Sequence, residues 1–415
     1  LGSGASQSGF GRTGTVDWET TKKTASFTAV NGEGYFVDSS SSAITVTLPA
    51  SPSAGNIVSV SDYNGSAATN AITVARNGSN INGDASNLEI TKADSAITLV
   101  YVDATVGWTS VQTSNTQDIL NSFVVASGGT ETTCGNFKIH TFTGPGTFTV
   151  TNAGTASGSN SVSYVVVAGG GGGKSGPGYG GTGGGGAGGY REGRASSDCY
   201  TASPLNAPAG LPVSVQAYPI TVGAGGSVSV AGTSGNNGAN SVFSTITSAG
   251  GGTGGGGPAA GAGGSGGGGN ENNAGGNGNT PPVSPPQGNG GGNGNPPSGG
   301  GGGGGGGATA GGSPSPGAFG GDGGNGATSS INGTPTARAG GGGGAAQSGP
   351  VDTSPDPASG GSGGGGNGGA GPGPDPAQSA GTSGTANTGG GGGSSRNPTA
   401  GSGGSGIVII RYKYQ

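Results

Sequence analysis

The chain has 415 residues, of which 109 are glycine and 25 proline, and a formal net charge of −5. Hydrophobic residues make up 28% and charged residues 7%, against roughly half and a quarter in an ordinary globular protein. That composition is unlike an enzyme's. The acidic balance offers no basic footprint for nucleic acid, and no apolar run reaches the ~20 residues of a membrane span.

Residues 1–16 read as a flexible Gly/Ser entry segment ending in Gly11-Arg12-Thr13-Gly14. From 17 to 112 the pattern has period two. Ile44, Val46 and Leu48 alternate with threonine, as do Ile72 and Val74, while 57–60 and 96–102 are longer apolar runs. Asn31-Gly32, Asn64-Gly65, Asn77-Gly78 and Asn82-Gly83 punctuate them as turns. Short strands at that spacing predict a small β-sandwich or barrel, with Trp18, Phe27, Tyr35, Phe36, Tyr101 and Trp108 filling its core. Residues 113–122 read as a polar linker.

A second β segment spans 123–168. Phe137, Ile139 and Thr141 alternate with Lys138, His140 and Phe142 ahead of Gly144-Pro145-Gly146, predicting a hairpin on which His140 faces solvent. The segment ends in the apolar strand Ser163-Tyr164-Val165-Val166-Val167-Ala168, and the chain ends in another at 407–415, Ile407-Val408-Ile409-Ile410-Arg411-Tyr412. Between them, 169–406 is glycine-rich, with a β island at 212–248. Two strong β-formers bracketing so much glycine predict an all-β domain whose ends pair while its middle folds back and forth. The island is expected to join the hairpin and the closing strand in one sheet.

Glycine runs at 169–173, 254–257, 299–307, 340–344 and 389–393 are separated by inserts rich in Pro, Asn, Ser, Thr and Asp. One reading is a flexible linker. The other is a packed array of extended threefold helices of the polyglycine II type. Collagen is excluded, because Ser313-Pro314-Ser315-Pro316 and Asn270-Glu271-Asn272-Asn273 break the every-third-glycine register. A threefold helix makes no internal hydrogen bonds and must find them on its neighbours. At about 3.1 Å per residue a nine-residue run spans about 28 Å, with the inserts as turns at the ends of the array.

Chemical motifs are weak. Ala168, five glycines, Lys174 and Ser175 match a loose phosphate-binding loop, but the following Gly176-Pro177-Gly178-Tyr179 cannot open the helix that the motif needs. Asp322 stands in a Gly-Gly-Asp-Gly-Gly-Asn-Gly-Ala stretch near a calcium nonapeptide, although Ala327 is too small for that fold and a solvated turn residue is the plainer reading. Asp356 and Asp375 recur in Pro-Asp-Pro-Ala turns. His140 is the sole histidine and no CxxC occurs, so zinc has no ligand set. Cys134 and Cys199 leave disulfide and free thiols both open. Nothing calls for a cofactor or a catalytic group, and a glycosidase would need two acids facing one cleft. Binding chemistry concentrates in aromatic and cationic side chains among the glycines: Tyr179, Tyr190, Arg191, Arg194, Tyr200, Phe319, Arg338 and Arg396. Each could equally cover the edge of the array.

Three stretches carry a family likeness. Gly11-Arg12-Thr13-Gly14-Thr15-Val16-Asp17-Trp18, with 31–38 and 47–55, resembles an N-terminal module of structural proteins from marine tailed phages, notably those of cyanobacteria. Residues 137–150, 163–173 and 405–412 resemble the glycine-rich domain of phage tail fibres, and 213–226 is similar to its internal island. The resemblance implies a virion tail fibre or tip adhesin, often a homotrimer, that binds a host cell-surface glycan or outer-membrane protein through loops between glycine runs. Its other partners would be tail proteins, without membrane insertion. No coiled-coil shaft is present. The alternative is a non-adhesive structural protein of the virion or an extracellular filament.

Overall fold

The computed structural model describes all residues except 1–15, 114–122, 156–158, 177–180, 229–234, 256–258, 297–299, 347–356, 370–378 and 397–398. The chain is all-β and divides into two units, Leu1–Phe123 with Asn152–Asn160, and Val124–Thr151 with Ser161–Gln415.

In the first unit two sheets enclose one core. One is ordered Asp17–Lys23, Glu33–Val37, Ile57–Asp62, Ala96–Asp103, Gly107–Thr113; the other Phe27–Thr28, Ile44–Thr47, Ile72–Ala75, Leu88–Ile90. The chain crosses from sheet to sheet at each step up to Ile72–Ala75, so that neighbours within a sheet are parallel. Antiparallel pairing takes over afterwards. Alternation places Tyr35, Val37, Ile44, Val46, Val58, Val60, Ile72 and Val74 inside with Trp108, and Phe27 and Tyr101 pack against them. Trp18 is a correction. It is 40% exposed and stacks on the half-buried Phe36 with ring centroids 4.8 Å apart. Its strand lies at the sheet edge, and both rings lie on the outer face, with Trp18 filling the space beside Gly34.

In the second unit the bracketing strands Ser161–Val167 and Ile407–Lys413 pair directly, from Ser163 opposite Arg411 to Val167 opposite Ile407. They lie at the centre of a sheet ordered Thr130–Cys134, Phe137–Phe142, Ile407–Lys413, Ser161–Val167, Tyr190–Gly193, Asn206–Ala207. The expected single sheet is corrected. Gly146–Ala153 pairs with the island strand Ala217–Thr221, in a second sheet that also holds Val124–Ser127, Ser241–Phe243 and Ile246–Ser248. Gly144-Pro145-Gly146 thus carries the chain from one sheet to the other instead of closing a ladder. Phe148, Tyr218, Phe243, Tyr164 and Tyr412 fill the interface with edge and tilted ring contacts. His140 is also corrected from surface to interior, being fully buried, stacked on Tyr412 and edge-on to Phe148.

The glycine-rich region is an ordered array with a threefold hydrogen-bond period. In the run 300–308, the N–H groups of 301, 304 and 307 donate to 317, 313 and 310. Those of 302, 305 and 308 donate to 345, 342 and 339, and those of 303 and 306 to 269 and 266. The same run accepts from 181, 184 and 187, from 295, 292 and 289, and from 321 and 324. Every third residue addresses the same neighbour, as a polyglycine II helix requires. Neighbours therefore surround this run on all sides, and a Cβ on Gly303, Gly304 or Gly305 would overlap the carbonyl oxygens of Gly292, Asp322 and Gly185.

On several runs side-chain oxygens, in place of backbone carbonyls, accept from the glycine-run N–H groups among the described residues. Asn237 and Asn240 Oδ1 accept from Thr253 and Gly250 N–H at 2.8 and 2.9 Å. Asp322 and Asn325 accept from Ser359 and Ser362 at 2.7 and 3.1 Å, and Asn367 accepts from Gly360 at 2.9 Å. The spacing of three is the helix period. Asp322 is thus an edge cap of the array, not a turn residue.

Gly304→Ala is expected to lose about 1–3 kcal/mol or more by overpacking, while Gly290→Ala, whose nearest non-neighbour atom is 3.3 Å from the new Cβ, stays within about 1 kcal/mol. Chemical denaturation of the two variants measures the contrast.

Candidate functional site

The runs alternate in direction, so each end of the array can be identified. Run 168–175 leaves the strand Ser161–Val167, and 181–189 returns into Tyr190–Gly193. The end nearest the sheet carries 190–221, 241–248, 279–287 and the hairpin Ala327–Ser329 with Thr336–Arg338. The opposite end carries the turns 270–273 and 317–319, because Gly317 meets Gly301 and Glu271 meets Gly181 far from where those runs enter the base. The residues picked from the sequence divide between these ends.

At the sheet end, Glu192 is buried and holds three donors. Its Oε2 accepts from the Tyr190 hydroxyl and from Ser203 N–H, each at 2.9 Å, and its Oε1 accepts from Ser329 Oγ at 2.6 Å. Tyr190, only 1% exposed, is kept protonated far above the usual phenol range, first by burial and then by the Glu192 charge. Tyr200 is buried, and the same two causes push its phenol upward in the same way. Arg338 is buried too, and burial pulls its pKa down against the favourable field of the Glu192 carboxylate. Beside them Arg411 Nε meets both oxygens of Asp198 at 3.0 and 3.1 Å, Ser163 Oγ donates to Asp198 Oδ2 at 2.8 Å, and Arg411 Nη1 donates to Ile331 O at 3.3 Å. The Arg411 guanidinium also lies over the Phe137 and Tyr200 rings. This network ties the 195–203 insert and the distant hairpin to the closing strand.

Tyr190, Tyr200 and Arg338 are therefore interior groups, removed from any surface contact by burial. Arg194 is exposed but donates to the Tyr200 carbonyl at 2.9 Å, and Arg191 is half-buried on the strand opposite Val166. Cys134 and Cys199 are free thiols. Sequence reasoning missed Glu192, Asp198 and Arg411. The alternation of Tyr190 and Glu192 about Arg191 was the available sign that both face the same side.

At the opposite end, Phe319 is 45% exposed. Ser315 Oγ fixes its turn by donating to Gly317 O at 2.9 Å and to Phe319 O at 2.7 Å, and Gly317 takes the positive φ the turn needs. Arg396 is half-buried here, directly after Ser395, which bridges to Ser175. Lys174, which the sequence suggested only as part of a failed phosphate loop, lies on the neighbouring run. Tyr179, Asp356 and Asp375 lie outside the described residues. Among the described residues no group of His, Cys, Asp and Glu is arranged to hold a metal ion.

Two outcomes test this geometry. Asp198→Ala leaves the Arg411 guanidinium buried without its carboxylate and is expected to lose about 3–5 kcal/mol in chemical denaturation, whereas Arg194→Ala stays within about 0.5 kcal/mol. His140 Nδ1 donates to Gly128 O at 2.7 Å, which leaves Nε2 to accept from the Tyr412 hydroxyl at 3.0 Å. Burial dominates and lowers its pKa below 6.5, although Glu131 opposes the shift. The neutral ring's contribution is thus fully present above pH 6.5 and is lost as pH falls from there through the depressed folded value. Melting temperatures of the wild type and His140→Gln across pH 7.5 to 5 should converge on the acid side; parallel curves would contradict this.

No curated protein matches the chain. The sequence pattern of the glycine-rich domain family matches residues 141–413, a span that holds both bracketing strands and the whole array between them. The chain therefore belongs to the glycine-rich domain family.

Proposed function

We propose that the chain is a tail fibre or tip adhesin of a tailed-phage virion, binding a host cell-surface glycan or outer-membrane protein through the end of the glycine array opposite the sheet. A homotrimer attached to other tail proteins through the first unit belongs to the same reading. The observation that carries it is the placement of the array's two connections. Ser161–Val167 and Ile407–Lys413 pair at one end, so the described part of the other end consists of turns between runs, free to vary without disturbing the base. The rigid helices behind those turns reduce the ordering cost of a contact. A non-adhesive structural role is the second reading, favoured by the burial of Tyr190, Tyr200 and Arg338, which commits the base to stability alone.

The test is binding of the full chain to a panel of marine cyanobacterial cells, beside a variant with 270–273 and 317–319 replaced by Gly/Ser and beside Arg194→Ala. Binding lost in the turn variant and kept in Arg194→Ala is the expected result. A folded protein that binds no cell, or a turn variant that binds unchanged, contradicts it.

A further inference from the structure

Eleven asparagines in this chain are followed directly by glycine. That pair is among the most labile a protein chain offers, because the glycine amide nitrogen, with no Cβ beside it, can attack the asparagine side-chain carbonyl carbon. Attack needs a free amide nitrogen, a free carboxamide and a backbone able to rotate the two into contact. The fold withholds at least one of these at nearly every pair.

In the first unit, Asn31 Oδ1 accepts from Ile57 N–H at 2.9 Å while Gly32 N–H donates to Ile57 O at 2.8 Å. Asn82 Oδ1 accepts from Ser110 N–H at 3.0 Å while Gly83 N–H donates to Val106 O at 2.8 Å. Asn77 Nδ2 donates to Leu48 O at 2.8 Å. In the second unit every such asparagine except Asn277 is held by a hydrogen bond through its side chain. Asn277 is locked by its backbone instead. Its carbonyl accepts from Gly263 N–H, and Gly276 and Asn279 on either side of the pair donate to Gly267 and Gly264.

Asn64-Gly65 is the exception. Asn64 is exposed on the turn that leaves the strand Ile57–Asp62. Among the described residues neither its carboxamide nor the Gly65 N–H has a hydrogen-bond partner. The turn is held from its flanks, where Asp62 Oδ2 accepts from Ala67 N–H at 3.2 Å and from Asp94 N–H at 3.1 Å. Asn64 can therefore rotate without opening the core.

We infer that Asn64 is a self-modification site, converting to aspartate and isoaspartate with Gly65 as the nucleophile. The Gly65 amide gives its proton to hydroxide, its nitrogen bonds to Asn64 Cγ, and the side-chain nitrogen leaves as ammonia with a proton from water. The cyclic imide then takes up water at either carbonyl, so the net change is gain of one water and loss of one ammonia, with no transfer of electrons. The product puts a new carboxylate into a turn that already carries Asp62 and faces Asp94, whose Oδ1 lies 3.4 Å from where a Cβ on Gly65 would stand. As isoaspartate it also lengthens, by one backbone carbon, the connection between the two sheets of this unit.

The test incubates the full folded chain in mildly alkaline buffer, beside the same chain in guanidinium chloride and beside Asn64→Gln. Peptide mass spectrometry follows each Asn-Gly pair, with fragmentation that separates aspartate from isoaspartate, and melting temperatures confirm that the variant is folded. In the folded chain the gain of about one dalton is expected first at Asn64, about tenfold or more ahead of Asn31 and Asn82, where bonds on both reacting groups must break first. That lead should vanish in guanidinium chloride, where every pair is free, and Asn64→Gln should erase the early gain. The site is overturned by a folded chain whose Asn64 is still intact once the unfolded chain has changed, by folded pairs that all change together, or by the same order of change in guanidinium chloride.

Discussion

Everything in the second unit depends on a backbone hydrogen bond between helices that have none of their own. An extended threefold helix turns its N–H groups outward in three directions, and in run 300–308 each direction meets the carbonyls of a different neighbour. Such a bond contributes about 0.5–1.5 kcal/mol net, while ordering a residue costs about 1–2 kcal/mol and glycine most of all. At about one bond per residue the array is close to balance by itself. Something must fix its ends, and the paired strands Ser161–Val167 and Ile407–Lys413 do so from a well-packed base. The buried Asp198–Arg411 pair and the Glu192 cluster then fasten the inserts at that end. Glycine follows from this geometry as a steric requirement, since every face of an interior helix lies against another backbone.

The same logic explains the perimeter. A helix at the edge has outward positions where a side chain fits, and asparagine or aspartate there offers an oxygen in place of a backbone carbonyl. Asn237 with Asn240 and Asp322 with Asn325 do so at the helix period. Unpaired edge groups are templates for association with other chains, and these caps close them.

Much of the fold was legible in the sequence, for identifiable reasons. The period-two pattern at Phe137–Phe142 and the apolar strands at 163–168 and 407–412 announced sheet, and the broken collagen register at Ser313-Pro314-Ser315-Pro316 left the threefold array as the ordered alternative. What periodicity could not tell was which sheet a strand joins. Gly144-Pro145-Gly146 reads as a hairpin turn whether its strands pair or part. Nor could it tell on which end an insert lies, because that depends on counting runs whose turns have no shared signature. Tyr190, Tyr200 and Arg338 therefore looked like surface contacts, although the tertiary partners that bury them, Glu192, Ser329 and Ile331, come together from distant positions. Phe319 and Arg396 were picked by the same criterion and lie at the opposite end. The difference between the two groups is topological, and composition carries no trace of it.

The most direct measurement of the central claim, that the glycine runs form a hydrogen-bonded threefold array, is native-state amide hydrogen exchange resolved to individual glycines. The amides of Gly301 through Gly307 should exchange orders of magnitude more slowly than an unstructured chain, and should be protected on all three faces of the helix alike. Exchange in this run at the unstructured rate, or protection confined to the strands Ser161–Val167 and Ile407–Lys413, would contradict the account.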